Sequence, residues 1–295
     1  MTLKLKGIIP PILTPFDEEG EVDLKRMESF ASFLKPHVQG FYVCGSYGSG
    51  VLMSVEERKR VFEALSGFAD GSFELLAHVG TTTLRDSISL AQHAEANHAV
   101  AVAAVPPFYF KYNDEALFGF FNDLIGSVSI PVYVYDNPGA TGNTLSPELI
   151  NRLANAGLHG VKDSTFDIGK TYQVMRKVEK SDFDVVIGSE SLFLPAYMMG
   201  SRACISGLAN AMPELMQKLF KAADKADFIQ ASELQKQVLL MWDILHFGPS
   251  TSTAYAMLQA RGIDIGFPRR PFIPTGRELF QKIEAAMKQS ESIWK

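Results

Sequence analysis

Two short apolar runs, Ile130-Pro131-Val132-Tyr133-Val134-Tyr135 and Gly157-Leu158-His159-Gly160-Val161-Lys162, decide the fold of this chain. Each run has the length of a buried strand, and polar residues follow each one, at 136–139 and at 163–165. Between them, Ser146-Pro147 predicts a helix start, with serine as the N-cap and proline at the first helical position. A strand, a helix and a second strand in this order are typical of a parallel sheet with crossover helices.

The same alternation runs from near the N-terminus to about residue 206. It predicts eight strands, at roughly 7–13, 40–44, 74–79, 99–105, 130–135, 158–162, 184–188 and 202–206. Beyond about residue 210 the strand signals stop, and helices are predicted at roughly 213–225, 227–246, 250–260 and 276–289. We therefore expect an α/β fold, a (β/α)8 TIM barrel of residues 1–210 that carries the active site, followed by a helical domain of residues 211–295.

Composition excludes several classes of function. The chain has 33 acidic and 28 basic residues, a net charge of −5, and no basic cluster that would bind nucleic acid. No apolar stretch approaches the roughly 20 residues that cross a bilayer, and residues 1–11 lack the apolar core of a signal peptide, so we expect a cytoplasmic protein. Cys44 and Cys204 lie in apolar runs and are predicted to be buried. The six histidines form no metal-binding pattern, so no metal is expected.

Lys162 is the residue from which a chemical reaction is predicted. A lysine at the end of a buried strand loses water around its ammonium, which lowers its pKa towards that of a neutral, nucleophilic amine. Such an amine forms a Schiff base with a carbonyl compound. Because reactive groups of a (β/α)8 barrel lie at the C-terminal ends of different strands, Tyr135 is expected beside it. An amine next to a phenol indicates carbonyl chemistry, whereas a strand-end lysine considered alone is more often solvated.

Two loops at other predicted strand ends carry further candidates. The turn Gly45-Ser46-Tyr47-Gly48-Ser49-Gly50 offers backbone N–H groups and the Ser46 hydroxyl to an anion such as a carboxylate. The alternative, which a short glycine motif favours, is a tight strand-to-helix turn that needs positive φ. The loop Val105-Pro106-Pro107-Phe108-Tyr109 predicts exposed aromatic rings, which taken alone are typical of packing or subunit contacts.

In order and spacing, these motifs resemble the dihydrodipicolinate synthase / N-acetylneuraminate lyase superfamily of class I, pyruvate-dependent aldolases over essentially the whole chain. The matching segments are 7–16, 45–50, 107–109, 135–142, 160–165 and 205–207. The resemblance implies a TIM barrel with C-terminal helices, a homotetramer built as a dimer of dimers, and no metal or dissociable cofactor.

The same resemblance implies a role for each candidate residue. Lys162 would form the Schiff base with pyruvate, and Tyr135 would move the proton of the acceptor aldehyde or of the cleaved hydroxyl. Ser46 would link Tyr135 to Tyr109, which reaches in from the neighbouring subunit. The substrate-binding residues would be Gly45, Tyr47, Ala140, Gly188, Glu190 and Ile205.

The chain departs from the family pattern in the glycine turn. Tyr47 and Ser49 stand where these enzymes usually have a second hydroxylic residue and a glutamate, which alters the carboxylate pocket. The ring at position 47 is expected either to narrow the site or to direct its hydroxyl towards the ligand.

Other departures concern the acceptor. Ala140 stands where dihydrodipicolinate synthases have the arginine that binds the carboxylate of the aldehyde, so that substrate is disfavoured. Of the acidic pair and the following serine of N-acetylneuraminate lyases, only Glu190 is present, with Ser191 and Gly207 at the other two positions. Ala140 and Gly50 look more like 2-keto-3-deoxygluconate-type aldolases.

The leading hypothesis is therefore an aldolase that reversibly cleaves a 2-keto-3-deoxy sugar acid, or a related 2-oxo acid, to pyruvate and an aldehyde. Three alternatives stay open. They are a condensation of pyruvate with an aldehyde like that of dihydrodipicolinate synthase, a Schiff-base dehydratase or hydratase on the same scaffold, and a non-catalytic relative that binds pyruvate.

Overall fold

Eight parallel strands form the centre of the molecule in the computed structural model, which describes residues 3–69 and 73–294. The strands are β1 Gly7–Ile8, β2 Gly40–Val43, β3 Glu74–His78, β4 Ala101–Ala104, β5 Val132–Asp136, β6 Gly160–Asp163, β7 Asp184–Ile187 and β8 Ala203–Cys204. They lie in the order β1-β8-β7-β6-β5-β4-β3-β2. Two backbone hydrogen bonds bridge β1 and β2, from the Gln39 N–H to the Ile8 oxygen at 3.0 Å and from the Tyr42 N–H to the Pro10 oxygen at 2.9 Å. The predicted (β/α)8 barrel is confirmed.

Helices follow the strands and continue after the barrel. Those of the barrel are α1 Leu24–Leu34, α2 Val55–Phe68, α3 Leu84–Ala96, α4 Asp114–Ile125, α5 Pro138–Thr141, α6 Pro147–Asn155, α7 Ile168–Lys177 and α8 Phe193–Met198. The C-terminal helices are α9 Pro213–Asp224, α10 Phe228–Leu245, α11 Ser250–Ala260, α12 Arg277–Gln289 and α13 Glu291–Trp294. Among the described residues, 3₁₀ turns lie at Lys35–His37, Gly50–Leu52, Glu190–Leu192 and Leu208–Asn210.

The predicted C-terminal helices are confirmed as α9 to α12. The division into domains of residues 1–210 and 211–295 stays a prediction, and residues 1–2, 70–72 and 295 of those ranges lie outside the described residues.

The first strand is shorter than the sequence predicted. The predicted strand at 7–13 ends at Ile8, because Pro10 and Pro11 have no N–H to donate to a neighbouring strand. The last strand likewise covers Ala203–Cys204 rather than the predicted 202–206.

Side chains alternate between two apolar compartments, as the pleat of a strand requires. On β5, Tyr133 and Tyr135 face the barrel interior, whereas Val132 and Val134 face the surrounding helices. The cluster between the strands and the helices continues into α9, α10 and α11, so the C-terminal helices share a core with the barrel.

Local signals in the sequence account for the helix starts. Ser54 and Glu57 form a capping box at α2, and the Ser146 hydroxyl accepts from the Leu149 N–H at α6, at 3.1 Å, as predicted. Cys44 and Cys204 are both buried. Within residues 3–69 and 73–294, no helix is long and apolar enough to cross a membrane, and no three His, Cys, Asp or Glu side chains are grouped to hold a metal ion.

Candidate active site

Lys162 and Tyr135 lie side by side at the C-terminal end of the barrel interior. They are paired residues in the register between β5 and β6, so their side chains leave neighbouring strands in the same direction. The Lys162 Nζ lies 3.6 Å from the centre of the Tyr135 ring and 4.5 Å from that of Tyr42. Only 3% of Lys162 is exposed, so its amine is shielded from bulk solvent.

The surroundings of Lys162 favour a reactive amine. Burial lowers the pKa of Lys162, because the charged ammonium loses its hydration. The neighbouring Tyr135, Cys204 and Glu190 act in the opposite direction without reversing this effect. The site therefore makes the neutral amine more accessible than it is for a lysine in water.

The Tyr135 oxygen lies among hydrogen-bonding groups. Asn137 Nδ2 donates to it at 3.0 Å, and Ser46 Oγ lies 3.5 Å away, which is long for a hydrogen bond between hydroxyls. Burial by itself raises the pKa of this phenol, but the charge of Lys162 and hydrogen bonds with Ser46, Lys162 and Ser164 outweigh burial and lower it. A phenol in this environment exchanges protons more readily than free tyrosine does.

The glycine turn at 45–50 is tight, but its glycines do not supply the positive φ that was expected. The left-handed residues are Cys44, with φ +58°, and Ser49, with φ +55°. The glycines are needed instead for close approach, since a β-carbon at Gly50 would lie 1.8 Å from the Cys44 oxygen and one at Gly48 2.7 Å from the Ile12 oxygen. Packing, rather than backbone conformation, therefore explains the glycines.

Tyr47 directs its ring into the mouth of the barrel on the side of β8. A β-carbon at Gly207 would lie 2.3 Å from Tyr47 Cε2, so the ring fills the space that the glycine leaves. Burial and the charge of Glu190 raise the pKa of the Tyr47 phenol, and a hydrogen bond with Ser250 opposes them. The phenol thus lies between the ends of the barrel strands and the start of α11.

Glu190 is a buried carboxyl group on the same side of the mouth. Burial raises its pKa, while hydrogen bonds with its own N–H, with the Ser206 hydroxyl and with the Leu208 N–H act in the opposite direction. Its charge is felt by both Lys162 and Tyr47. The carboxyl group is therefore a candidate for binding a substrate hydroxyl.

Two other predicted substrate-binding residues, Gly188 and Ile205, also lie on this side. A β-carbon at Gly188 would lie 1.9 Å from Ser164 Oγ, so glycine leaves room for the hydroxyl that bonds Tyr135. Ile205 is buried among the residues of the barrel interior. Gly45 begins the turn directly after Cys44, where a β-carbon would lie 2.9 Å from the Tyr42 ring.

The structure does not bring Tyr109 of the same subunit to the Lys162–Tyr135 pair. Tyr109 is 87% exposed, has φ +83° and packs edge to face on Phe110 with ring centres 4.9 Å apart. Ala140 is exposed on α5. A role for Tyr109 therefore needs a second subunit, as the resemblance implies.

Sequence reasoning missed three side chains at this site. Asn137 and Ser164 contact the Tyr135 oxygen, and the His78 ring stands edge to face with Tyr135 at 6.0 Å. Burial, Arg58 and Lys162 lower the pKa of His78 well below its usual value, so the imidazole is neutral. His78 is the last residue of β3 and lies one residue before the end of the predicted strand at 74–79, so reading all strand ends together would have found it.

A polar network outside the barrel holds the two reactive strand ends. The buried Asp136, which follows Tyr135, forms an ion pair with the half-buried Lys170 of α7, and Lys170 also donates to the Thr144 hydroxyl at 2.6 Å. Asp163, which follows Lys162, accepts from the Thr171 hydroxyl at 2.6 Å. These bonds fix the strand ends from which the amine and the phenol project.

Known proteins resemble this chain in both sequence and structure. The sequence model of the dihydrodipicolinate synthetase family matches residues 4–290. The chain is 29% identical over 289 residues to a 4-hydroxy-tetrahydrodipicolinate synthase of Archaeoglobus fulgidus, covering 98% of this chain and 99% of that protein. It is 31% identical over 241 residues to a probable 2-dehydro-3-deoxy-D-pentonate aldolase of Escherichia coli, covering 80% of each. Dihydrodipicolinate synthase of Aquifex aeolicus superposes with a TM-score of 0.92 at 25% identity, covering 99% of this chain and 100% of that one.

Proposed function

The chain belongs to the dihydrodipicolinate synthetase family and is a carbon–carbon lyase, and from this premise we propose that Lys162 binds a 2-oxo acid as a Schiff base. The observation that carries the proposal is the register of β5 and β6, which sets the buried amine against the Tyr135 phenol. This arrangement supplies a nucleophile and a proton-transfer group within one water-poor site.

The proposed reaction begins when the neutral Lys162 amine attacks the keto carbon of the substrate. Tyr135 donates its proton to the hydroxyl of the carbinolamine, which leaves as water and gives an iminium, an electron sink, beside the Tyr135 anion. The Tyr135 oxygen then accepts the proton of the substrate's 4-hydroxyl, the bond between C3 and C4 breaks, and its electrons move into the iminium to form an enamine. Protonation of the enamine at C3 and hydrolysis release pyruvate and restore the amine.

The glycine turn is the proposed site for the carboxylate of the 2-oxo acid. Within the turn, the Ser49 N–H donates to the Ser46 oxygen at 3.1 Å and the Gly50 N–H to the Gly45 oxygen at 3.2 Å. The N–H groups of Ser46 and Tyr47 are the ones we propose for the carboxylate, because consecutive N–H groups in a turn form an anion site.

The acceptor side of the site favours an uncharged, hydroxylated aldehyde. Ala140 provides no cation for a second carboxylate, whereas Tyr47, Glu190 and Ser250 provide groups that bind hydroxyls. We therefore propose a 2-keto-3-deoxy sugar acid as the substrate. The name of the Escherichia coli relative, a 2-dehydro-3-deoxy-D-pentonate aldolase, supports this choice.

A condensation like that of dihydrodipicolinate synthase is the second candidate, because the Archaeoglobus fulgidus relative carries the related name. It needs a different anchor for the aldehyde's carboxylate, since Ala140 cannot provide one. For the assembly, we propose a cytoplasmic homotetramer in which Tyr109 of one subunit completes the Ser46–Tyr135 relay of another, with no metal or dissociable cofactor.

Reductive trapping tests the proposed function directly. The protein is incubated with pyruvate and borohydride, digested, and analysed by mass spectrometry for an adduct on the peptide that contains Lys162. We expect the adduct in the wild type and in Lys177→Ala, a control at a surface lysine of α7, but not in Lys162→Ala. A wild-type Lys162 peptide of unchanged mass would refute the Schiff base.

The substrate class is tested with enzyme that has not been treated with borohydride but is known to form the pyruvate adduct. This enzyme is supplied with pyruvate and a panel of aldehydes. Uncharged hydroxyaldehydes are expected to be consumed in preference to an aldehyde that carries a carboxylate. The reverse preference would favour the second candidate.

A further inference from the structure

Asn137 lies at a helix N-cap but does not cap the helix with its side chain. It is the N-cap residue of α5, and an N-cap asparagine normally accepts a hydrogen bond from an N–H of the first helical turn. Asn113 does this at α4, where its Oδ1 accepts from the Ala116 N–H at 2.9 Å. Asn137 makes no such bond, and its Nδ2 donates to the Tyr135 oxygen at 3.0 Å instead.

The type of donor at Asn137 distinguishes it from the other groups around Tyr135. The hydroxyls of Ser46 and Ser164 can each donate or accept, whereas a carboxamide Nδ2 can only donate. The Tyr135 oxygen must therefore act as the acceptor in its bond with Asn137. This leaves the phenol's own proton to point away from Asn137, towards the amine and the hydroxyls.

In the part of the chain that the structure describes, four other titratable groups face Tyr135. They are Lys162 on β6, Tyr42 on β2, His78 on β3 and Tyr47 in the turn after β2. Burial raises the pKa of both neighbouring phenols and lowers that of the imidazole, so all three are neutral. The Lys162 ammonium must lose its proton before it can react. Its positive charge therefore does not stabilise a Tyr135 anion throughout the reaction.

We infer that Asn137 is a positioning residue for the phenol, and that its N–H holds the Tyr135 oxygen towards Lys162 and stabilises that oxygen when it carries negative charge. The inference deepens the proposed function, on which its consequence for catalysis rests. A hydrogen bond donated to the charged form of an acid favours its ionisation, so the Asn137 bond acts in the same direction as Lys162, Ser46 and Ser164, which lower the pKa of Tyr135.

The test follows the ionisation of Tyr135 by ultraviolet absorbance of tyrosinate against pH, with no substrate present. The transition that disappears in Tyr135→Phe identifies this residue. Asn137→Leu keeps a similar volume but removes the donor, and we expect it to move the transition to higher pH. Asn137→Asp, which keeps the shape and replaces the donor by an acceptor, should move it in the same direction and serves as the second variant if the first is unstable.

Turnover is followed by exchange of the pyruvate methyl protons for deuterium, read by NMR. Here the iminium loses a C3 proton to Tyr135 to give the enamine, which regains a deuteron from solvent. Asn137→Leu is expected to lower kcat for exchange roughly 10- to 100-fold, because a hydrogen bond to a charged group is lost. KM for pyruvate should change little, since the carboxylate site is untouched.

Asn113→Leu is the matched control, because it removes an asparagine N-cap that does form its capping bond. We expect it to lower the unfolding temperature without moving the Tyr135 transition. The inference is overturned if Asn137→Leu leaves the transition in place, if it only reduces stability as the control does, or if the wild type shows no Tyr135 transition below that of free tyrosine. A moved transition without a pyruvate adduct on Lys162 would instead refute the proposed function alone.

Discussion

Replacing Gly207 with alanine is expected to destabilise the protein, and the cause is the ring of Tyr47. The added β-carbon would lie 2.3 Å from Cε2, 2.4 Å from Cζ and 2.7 Å from the hydroxyl oxygen of that ring. Non-bonded carbon atoms are normally about 3.5–4.0 Å apart, so the ring or the backbone must move. The backbone itself accepts alanine, because Gly207 has φ −63° and ψ −39°, in the right-handed helical region.

Two effects of opposite sign determine how much Gly207→Ala changes the free energy of unfolding. Forcing an extra carbon into a packed region costs about 1–3 kcal/mol. Replacing glycine by alanine where the backbone allows it stabilises by about 0.4–1 kcal/mol, because the unfolded chain loses freedom. In Tyr47→Thr the ring is absent, so only the second effect remains and Gly207→Ala should be neutral or stabilising. The backbone effect cancels between the two backgrounds, which leaves a coupling of about 1–3 kcal/mol.

Urea unfolding of the wild type, the two single variants and the double variant measures this coupling. All four proteins are compared at one concentration, because the stability of an oligomer depends on concentration. If Gly207→Ala costs the same free energy in both backgrounds, the ring of Tyr47 does not occupy the space above Gly207. The assignment of Tyr47 to the acceptor side of the site would then fail as well.

Three further predictions concern the reactive pair and its support. Lys170→Met leaves Asp136 as a buried charge without its cation and is expected to lower the free energy of unfolding by about 3–5 kcal/mol. Urea unfolding measures this loss, and a loss below about 1 kcal/mol would contradict the stabilising role of the ion pair. Tyr135→Phe is expected to lower the kcat of aldol cleavage about 10²- to 10⁴-fold while trapping of pyruvate on Lys162 persists, and undiminished cleavage would exclude the phenol as the proton acceptor. The rate of trapping should increase with pH, because the amine is unreactive below its pKa and neutral above it. Since burial lowers the pKa of Lys162 from 10.5, the rise should occur at lower pH than for a lysine in water, and a rate that falls with pH would contradict this reasoning.

The adjacency of Lys162 and Tyr135 could be predicted from the sequence because both residues end apolar runs. Strand ends meet at one edge of a parallel barrel, and this rule placed Lys162 beside Tyr135 without knowledge of the register. The same rule applies to His78, the last residue of β3, but a search limited to metal-binding patterns passed over it.

Other parts of the site depend on features that a sequence pattern does not contain. Whether Asn137 caps its helix or turns back to Tyr135 is decided by the turn geometry and by which partner offers an acceptor within reach. The contact of Ser164 with Tyr135 likewise depends on the space left by Gly188, which follows β7. The predicted first strand is too long because residues 7–13 are apolar throughout, whereas the missing N–H groups of Pro10 and Pro11 end β1 at Ile8.

Tyr47 illustrates why a departure from a family pattern has to be judged in three dimensions. A ring in the glycine turn is expected to narrow the carboxylate site or to direct its hydroxyl towards the ligand, and the departures at Tyr47 and Ser49 are the reason for the alternative of a non-catalytic relative. The ring lies instead over Gly207 on the side of β8, where its phenol meets Ser250 and the charge of Glu190. The substitution in the turn is thus accommodated by a glycine about 160 residues away in the sequence. This compensation favours a retained reaction with an altered acceptor site over a loss of catalysis.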